Sequence, residues 1–293
     1  MLSLQVASAY PISPRTLRKL VKDAELIVWS RVLKIEEVEG KTFYEEAKAI
    51  LVVKEVLQGT IKQDTIAVYF SPGMICPAPA YYVKGMEVLA FLDKKKYVDG
   101  YTTHALSYGA KPLEPEQYEV YKTCIAEIKD IQLMPESEAK NVVLLDWFIK
   151  CASHPATRWE GTYELSPESD FMLFYDEDSE TIHTRYELMA YQLLALAEAP
   201  FSTTQMTRED LGLVDLLIPD SGEQVLQYLQ NQLKNGDLKA MWYRNDLIER
   251  IVYLTGRSDL EAILQKINSL DFRDEHRQKK SLTLARDFVD MLG

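Results

Sequence analysis

Hydrophobic and polar residues alternate with a period of two through the first third of the chain, and with a helical period after it. Residues 25–37 (ELIVWSRVLKIEE) are rich in β-formers and predict a long strand. Val38-Glu39-Gly40-Lys41 reads as a turn. Residues 42–57 predict a second long strand, where Ala47, Ala49, Leu51 and Val53 alternate with Glu46, Lys48, Ile50 and Val52. A third strand, 64–70, sets Ile66, Val68 and Phe70 on one face, and 86–92 (MEVLAFL) reads as a fourth. Asp99-Gly100 between β-formers is a strong hairpin signal, with a fifth strand expected over 101–108. Five or six strands, with long curled first ones, point to a small closed barrel. A short helix is expected just before it, over 15–23.

Beyond Pro115 the spacing becomes i, i+3, i+4, i+7. Tyr121, Cys124, Ile125 and Ile128 follow it, as do Leu144, Trp147, Phe148 and Cys151. Tyr186, Met189, Ala190 and Leu193 form another set, then Leu260, Ile263, Leu264 and Ile267, then Ala285, Phe288, Val289 and Leu292. Ser258-x-x-Glu261 has the form of a capping box, with Gly256 closing the helix before it, and Thr207-x-x-Asp210 is a second start signal. No clean repeat period emerges, so six to eight helices in an irregular array are expected. The organisation expected is a lead-in over 1–22, a barrel over 23–113 and a helical domain over 114–293.

A length of 293 residues suits two cores better than one. Charge is unevenly spread. Residues 1–113 hold 15 basic and 12 acidic side chains, and the rest hold 18 basic and 33 acidic ones. An acidic helical part repels phosphate backbones and anionic surfaces, so nucleic acid is not an expected partner. No apolar run reaches the ~20 residues of a membrane span. Three cysteines, Cys76, Cys124 and Cys151, make no disulfide framework; the last two fall on apolar helix faces. Ala7-Ser8-Ala9 has the small-x-small form of a signal-peptidase site. Read as the remnant of a longer signal, it favours a periplasmic or secreted location; the other reading is coincidence.

The β-rich part resembles the netrin-like family, which includes the tissue inhibitors of metalloproteinases. The likeness lies in Asp23-Ala24-Glu25-Leu26-Ile27-Val28, Val32, Val53-Lys54-Glu55-Val56-Leu57-Gln58-Gly59, Cys76 and Gly85-Met86-Glu87-Val88-Leu89-Ala90-Phe91-Leu92. It covers about residues 20–110, and bacterial chains with helical extensions are the nearer likeness. What it implies is an OB-like barrel, so the expected fold class is α+β: a small OB-like antiparallel β-barrel followed by an irregular all-α helical array. The inhibitors chelate zinc through an N-terminal cysteine. No cysteine precedes Cys76 here, so that activity does not carry over.

Chemical motifs are sparse. The chain has no Gly-x-Ser-x-Gly, His-Glu-x-x-His, Cys-x-x-Cys or Gly-rich phosphate loop, and His104, His154, His183 and His276 stand singly. No cofactor and no metal site is expected. The loop 71–85 (SPGMICPAPAYYVKG) is the first binding candidate, through Met74, Ile75, Tyr81 and Tyr82. Its prolines stiffen it and lower the entropy lost on docking. The alternative is that these residues pack inside the protein. Arg158 and Trp159 form the second candidate, of types common at interface hot spots and equally suited to locking helices together. Asp176-x-Asp178-x-Glu180 with Glu187 mimics a calcium loop but has Thr181 where glycine is needed. The expected function is non-catalytic binding of a protein partner. The alternatives are an enzyme with a site in the cleft between domains and a calcium-stabilised structural module.

Overall fold

A computed structural model describes residues 14–42, 45–74, 79–165, 188–201, 206 and 210–293. The chain forms two compact units, Met1–Glu187 and Leu188–Gly293. In the first, helix α1 (Leu17–Asp23) leads into strands β1 (Leu26–Thr42), β2 (Glu45–Gln58), β3 (Thr65–Phe70), β4 (Glu87–Lys94) and β5 (Tyr101–Thr103). A 3-10 turn (Leu106–Gly109) and strand β6 (Ala110–Pro112) follow. The order around the sheet is β1-β2-β3-β5-β4, and β4 returns to β1, which closes a five-stranded OB-like barrel. Every pairing is antiparallel except β3 with β5, where Val68 and Tyr69 face Tyr101 and Thr102 in parallel.

The period-two pattern works as physical chemistry predicts. Val28, Val32, Ala49, Leu51, Val68, Phe70, Val88, Ala90 and Leu92 fill the barrel. On the opposite face of β1, Ile27 and Trp29 are buried too, and helix α2 (Pro115–Leu133) packs against Trp29. Trp29 and Tyr118 stack there at 4.4 Å with an interplanar angle of 7°. Tyr118 and Lys122 donate to Glu55, at 2.5 and 2.7 Å, and Lys129 donates to the Leu57 carbonyl at 2.9 Å. Pro115 sits in the first turn of α2, and Gln117 accepts from the Glu114 amide at 3.0 Å, half of a capping box.

The expected turn at 38–41 is corrected: β1 continues through it to Thr42, which pairs with Glu45. The hydrogen-bond register carries both strands past Gly40, and a shift between Glu37 and Thr42 absorbs the glycine. The expected fifth strand over 101–108 is also corrected. It breaks after Thr103, and β5 and β6 occupy successive stretches of one edge of β4. Between them Ala105 and Leu106 take positive φ, 52° and 53°. Gly109 is obligatory at this reversal, since a Cβ there would lie 1.9 Å from the His104 carbonyl oxygen.

Helices α3 (Glu138–Ser153) and α4 (Arg158–Leu165) are the remaining described elements of the first unit. The change from strand to helix after residue 113 therefore falls inside this unit rather than at its edge. Cys124 of α2 and Cys151 of α3 are buried free thiols with their sulfurs 3.8 Å apart. Burial pushes the Cys151 thiol well above its usual range.

The second unit holds α5 (Ala190–Phe201), α6 (Asp210–Asn235), α7 (Arg244–Thr255), α8 (Ser258–Asn268) and α9 (Arg277–Met291). α6 bends where Pro219 removes a donor and Ser221 leaves helical geometry. Gly256 ends α7 in the left-handed conformation, as its position foretells. Leu260, Ile263 and Ile267 are buried with Ala285 and Phe288, so the α8 and α9 stripes face inward. Two expectations fail here. Ser258 starts α8 as its first residue and caps nothing; Arg257 instead pairs with Asp259. Of the stripe Tyr186, Met189, Ala190 and Leu193, Tyr186 lies outside the described residues and Met189 and Ala190 are exposed, and α5 buries Gln192, Leu196 and Ala199 instead. Among the described residues no helix is long and apolar enough to cross a membrane. The architecture is α+β, a barrel followed by a helical array.

Gly161 of α4 faces α3 so closely that an added Cβ would sit 2.2 Å from the Phe148 carbonyl oxygen and 2.3 Å from the Ala152 amide. Both are backbone atoms and cannot swing aside. Gly161→Ala should lower unfolding free energy by about 2–3 kcal/mol, the usual cost of overpacking. Urea denaturation followed by tryptophan fluorescence measures it, and an unchanged midpoint would contradict the tight α3–α4 contact.

Candidate functional site

The loop between β3 and β4 is built by alternation. Ala80 and Tyr82 point into the barrel, and Tyr81 and Val83 point out. Tyr82 lies edge-on to Phe70 with ring centroids 5.2 Å apart, and its hydroxyl shares a 2.7 Å hydrogen bond with Thr103 Oγ1. Burial pushes this phenol far above its usual pKa. Met74 is buried as well, its amide donating to the Ser71 carbonyl at 3.2 Å. Tyr81, by contrast, is 63% exposed and Val83 41%. Of the four residues grouped from sequence, Met74 and Tyr82 are therefore anchors within the protein and Tyr81 faces outward. Ile75 lies outside the described residues.

The end of this loop rejoins the sheet beside β1. The Val32 amide donates to the Met86 carbonyl and the Gly85 amide to the Val32 carbonyl, both at 2.8 Å. Past this point β4 and its lead-in no longer cover β1. From Leu33 to Thr42, β1 has β2 along one side and no strand along the other among the described residues. Leu33 sits at a register shift between Val32 and Lys34, and both it and Ile35 are exposed. Outward-facing Val83 and Leu33 thus flank the last rungs of the ladder, with an open strand edge beyond them.

Arg158 and Trp159 lie elsewhere, at the start of α4. Arg158 is buried, and its Nε donates to the Ala152 carbonyl at 3.4 Å. Trp159 stacks on Tyr108 at 5.5 Å and on Tyr163 at 5.4 Å, with Lys111 Nζ 5.8 Å from its ring centre. The structure does not bring this pair together with the loop as one surface; their contacts lock α4 to α3 and to the strand end.

Two residues that sequence reasoning passed over dominate this region. Glu160 is buried, and accepts from the Leu17 amide at 2.6 Å, Lys111 Nζ at 2.6 Å and the Tyr121 hydroxyl at 3.0 Å. Glu164, one turn on and also buried, accepts from Thr16 Oγ1 and from Arg18 at 2.9 and 3.1 Å. The only hint in sequence is their i, i+4 spacing around a glycine. Burial and the neighbouring Glu160 carboxylate push the Tyr121 phenol well up. Glu160 has a donor on both oxygens and lies inside the fold, so the arrangement is suited to holding elements together rather than to exchanging protons with a substrate.

The segment weighed for calcium, 176–187, lies outside the described residues, as does Cys76. No group of three or more metal-ligating side chains occurs among the described residues. No known family model matches the chain, and no curated protein is similar to it.

Glu160→Ala would leave Lys111, Tyr121 and the Leu17 amide without their shared acceptor. The expected loss is about 3–5 kcal/mol, as for breaking one side of a buried ion pair. Chemical denaturation of the variant measures it, and a loss within the scatter of surface substitutions would show that the cluster is not holding α1, α2, α4 and β6 together.

Proposed function

We propose that the protein is a non-catalytic binding module whose ligand is another protein, engaged at the barrel rim. The observation that carries this reading is the edge of β1 beyond Val32, which no strand covers among the described residues and which exposed Leu33, Ile35, Val83 and Tyr81 border. An unpaired strand edge presents amides and carbonyls that an extended segment can bond, and flanking apolar side chains supply the contact area. Anchoring by Tyr82 and Met74 supports it further, because a stiffened loop holding Tyr81 outward loses little entropy on docking. Lys34 and Glu36 form an ion pair along the same strand, a device that discourages non-specific edge pairing while leaving a specific partner admissible.

The same proposal takes the barrel as netrin-like. The strand order supports the OB-like part of that likeness.

The test uses the full chain as bait in an extract of its native source, read by mass spectrometry. The comparison variant is Leu33→Ser with Tyr81→Ser and Val83→Ser, all exposed positions, with its melting temperature checked against wild type. Loss of a hot-spot aromatic typically costs about 2 kcal/mol, or roughly 30-fold in affinity. A partner retained by wild type and lost by the triple variant is expected. An identical set of captured proteins from both baits, or none from either, would sink the rim as the binding surface.

A further inference from the structure

The second unit carries a cavity of about 620 Å³ between the 236–243 connection, the end of α8 and the first turn of α9. Lys239, Arg244, Arg277 and Lys279 line it, against the single carboxylate Glu275. This is a local inversion of charge, since residues 188–293 hold 16 acidic and 12 basic side chains. Lys239, Arg277 and Lys279 form no ion pair among the described residues. The nearby acids are engaged: Asp274 with Lys280 at 2.6 Å, and Asp237 with the Lys239 amide at 2.9 Å.

Arg244 is the telling member. Its guanidinium donates to the Met241 carbonyl at 3.3 Å and to Ser281 Oγ at 3.2 Å, both neutral acceptors, and its buried Nε has no acceptor. Only part of its donor set is used, and no carboxylate balances its charge. Burial lowers its pKa with nothing opposing the shift. The first turn of α9 repeats the imbalance. It holds Arg277, Lys279 and Lys280 and no acidic residue, and the side chain of its N-cap, His276, makes no capping bond. Cations at the positive end of a helix dipole are unfavourable by themselves and become favourable around an anion.

The rest of the lining mixes polar side chains (Asn245, His276, Gln278 and Ser281) with apolar ones. Ile267, Leu270 and Leu282 form part of the wall, and Trp242 stands beside them 67% exposed. An exposed indole next to several cations offers a face for a flat ring.

We propose that this cavity binds a small organic phosphate of nucleotide size, with its phosphate among Arg244, Arg277, Lys239 and Lys279 and a planar ring against Trp242. Four cations suit a group carrying close to two negative charges better than a monocarboxylate. The acidic surroundings disfavour a polyanionic strand, so the ligand is a small molecule. The site lies in the other unit from the barrel rim and stands or falls independently of it.

Isothermal titration of the full chain at low salt, with adenosine monophosphate, phenyl phosphate, inorganic phosphate and adenosine, tests this. Both esters are expected to bind, with inorganic phosphate and adenosine each weaker by about tenfold or more, since each forfeits one half of the site. Arg277→Ala with Lys279→Ala should weaken the esters by about tenfold. Trp242→Ala should bring them down to the level of inorganic phosphate. All three positions are on the cavity wall rather than in the core, and melting curves verify the fold. No binding of either ester at millimolar concentration overturns the proposal. So does ester binding that the double substitution leaves unchanged, or inorganic phosphate bound as tightly as the esters.

Discussion

Two carboxylates inside the first unit set a condition that its neighbouring elements have to meet. A buried Glu160 without Lys111, Tyr121 and the Leu17 amide would cost several kcal/mol, and Glu164 without Arg18 and Thr16 would cost a similar amount. Satisfying both oxygen pairs requires α1, β6 and α2 to converge on one face of α4. Gly161, between the two glutamates, lets an adjacent side of α4 approach the backbone of α3. The barrel, its leading helix and the later helices α2 and α3 are thus tied through one short element, α4. That is why the compact unit extends past the point where strands give way to helices. Specificity of arrangement is what such a cluster supplies, since apolar residues of the same shape would satisfy stability without dictating which elements meet.

How much of this was legible in sequence depends on the range of the interactions. The alternation of Ala47, Ala49 and Leu51 against Glu46, Lys48 and Ile50 is a local property, and β2 follows it. The stripes of α2, α3 and α8 are local too, and they face inward. The break of the last strand was not legible, because nothing near Ala105 announces positive φ; the reversal is driven by β4 offering two bonding stretches along one edge. Glu160 and Glu164 read as ordinary solvated acids, since their partners lie at positions 16–18, 111 and 121. At the start of α5 the expected stripe through Met189 and Ala190 is exposed, and tertiary contacts bury Gln192, Leu196 and Ala199, a different face from the one hydropathy favoured.

The loop at the barrel rim shows how an apolar cluster in a connection divides its labour. Tyr81 and Tyr82 are adjacent in sequence and were one group by composition. In extended backbone, neighbours point to opposite sides. Tyr82 therefore supplies an anchor, with its ring on Phe70 and its hydroxyl on Thr103, and by doing so commits Tyr81 to the outside. The exposure of Tyr81 is a consequence of the burial of its neighbour, and a conformational change that freed one would retract the other.

The same coupling of local geometry to surface character explains why net charge misleads in the second unit. The acidity of residues 114–293 describes that stretch's net charge, but electrostatic interactions in water fade within about 10 Å at ordinary ionic strength. What a small ligand meets is therefore set by the few groups around one cavity. There, Arg244 bonds only neutral oxygens, and the first turn of α9 places Arg277, Lys279 and Lys280 on the end of a helix dipole that already repels them. Such an arrangement costs stability wherever it occurs in a fold. Glu275 is the only carboxylate among the lining residues, so the protein itself compensates only part of that cost. A bound dianion would remove the remainder, and the field that disfavours the empty cavity is the same field that would select its occupant.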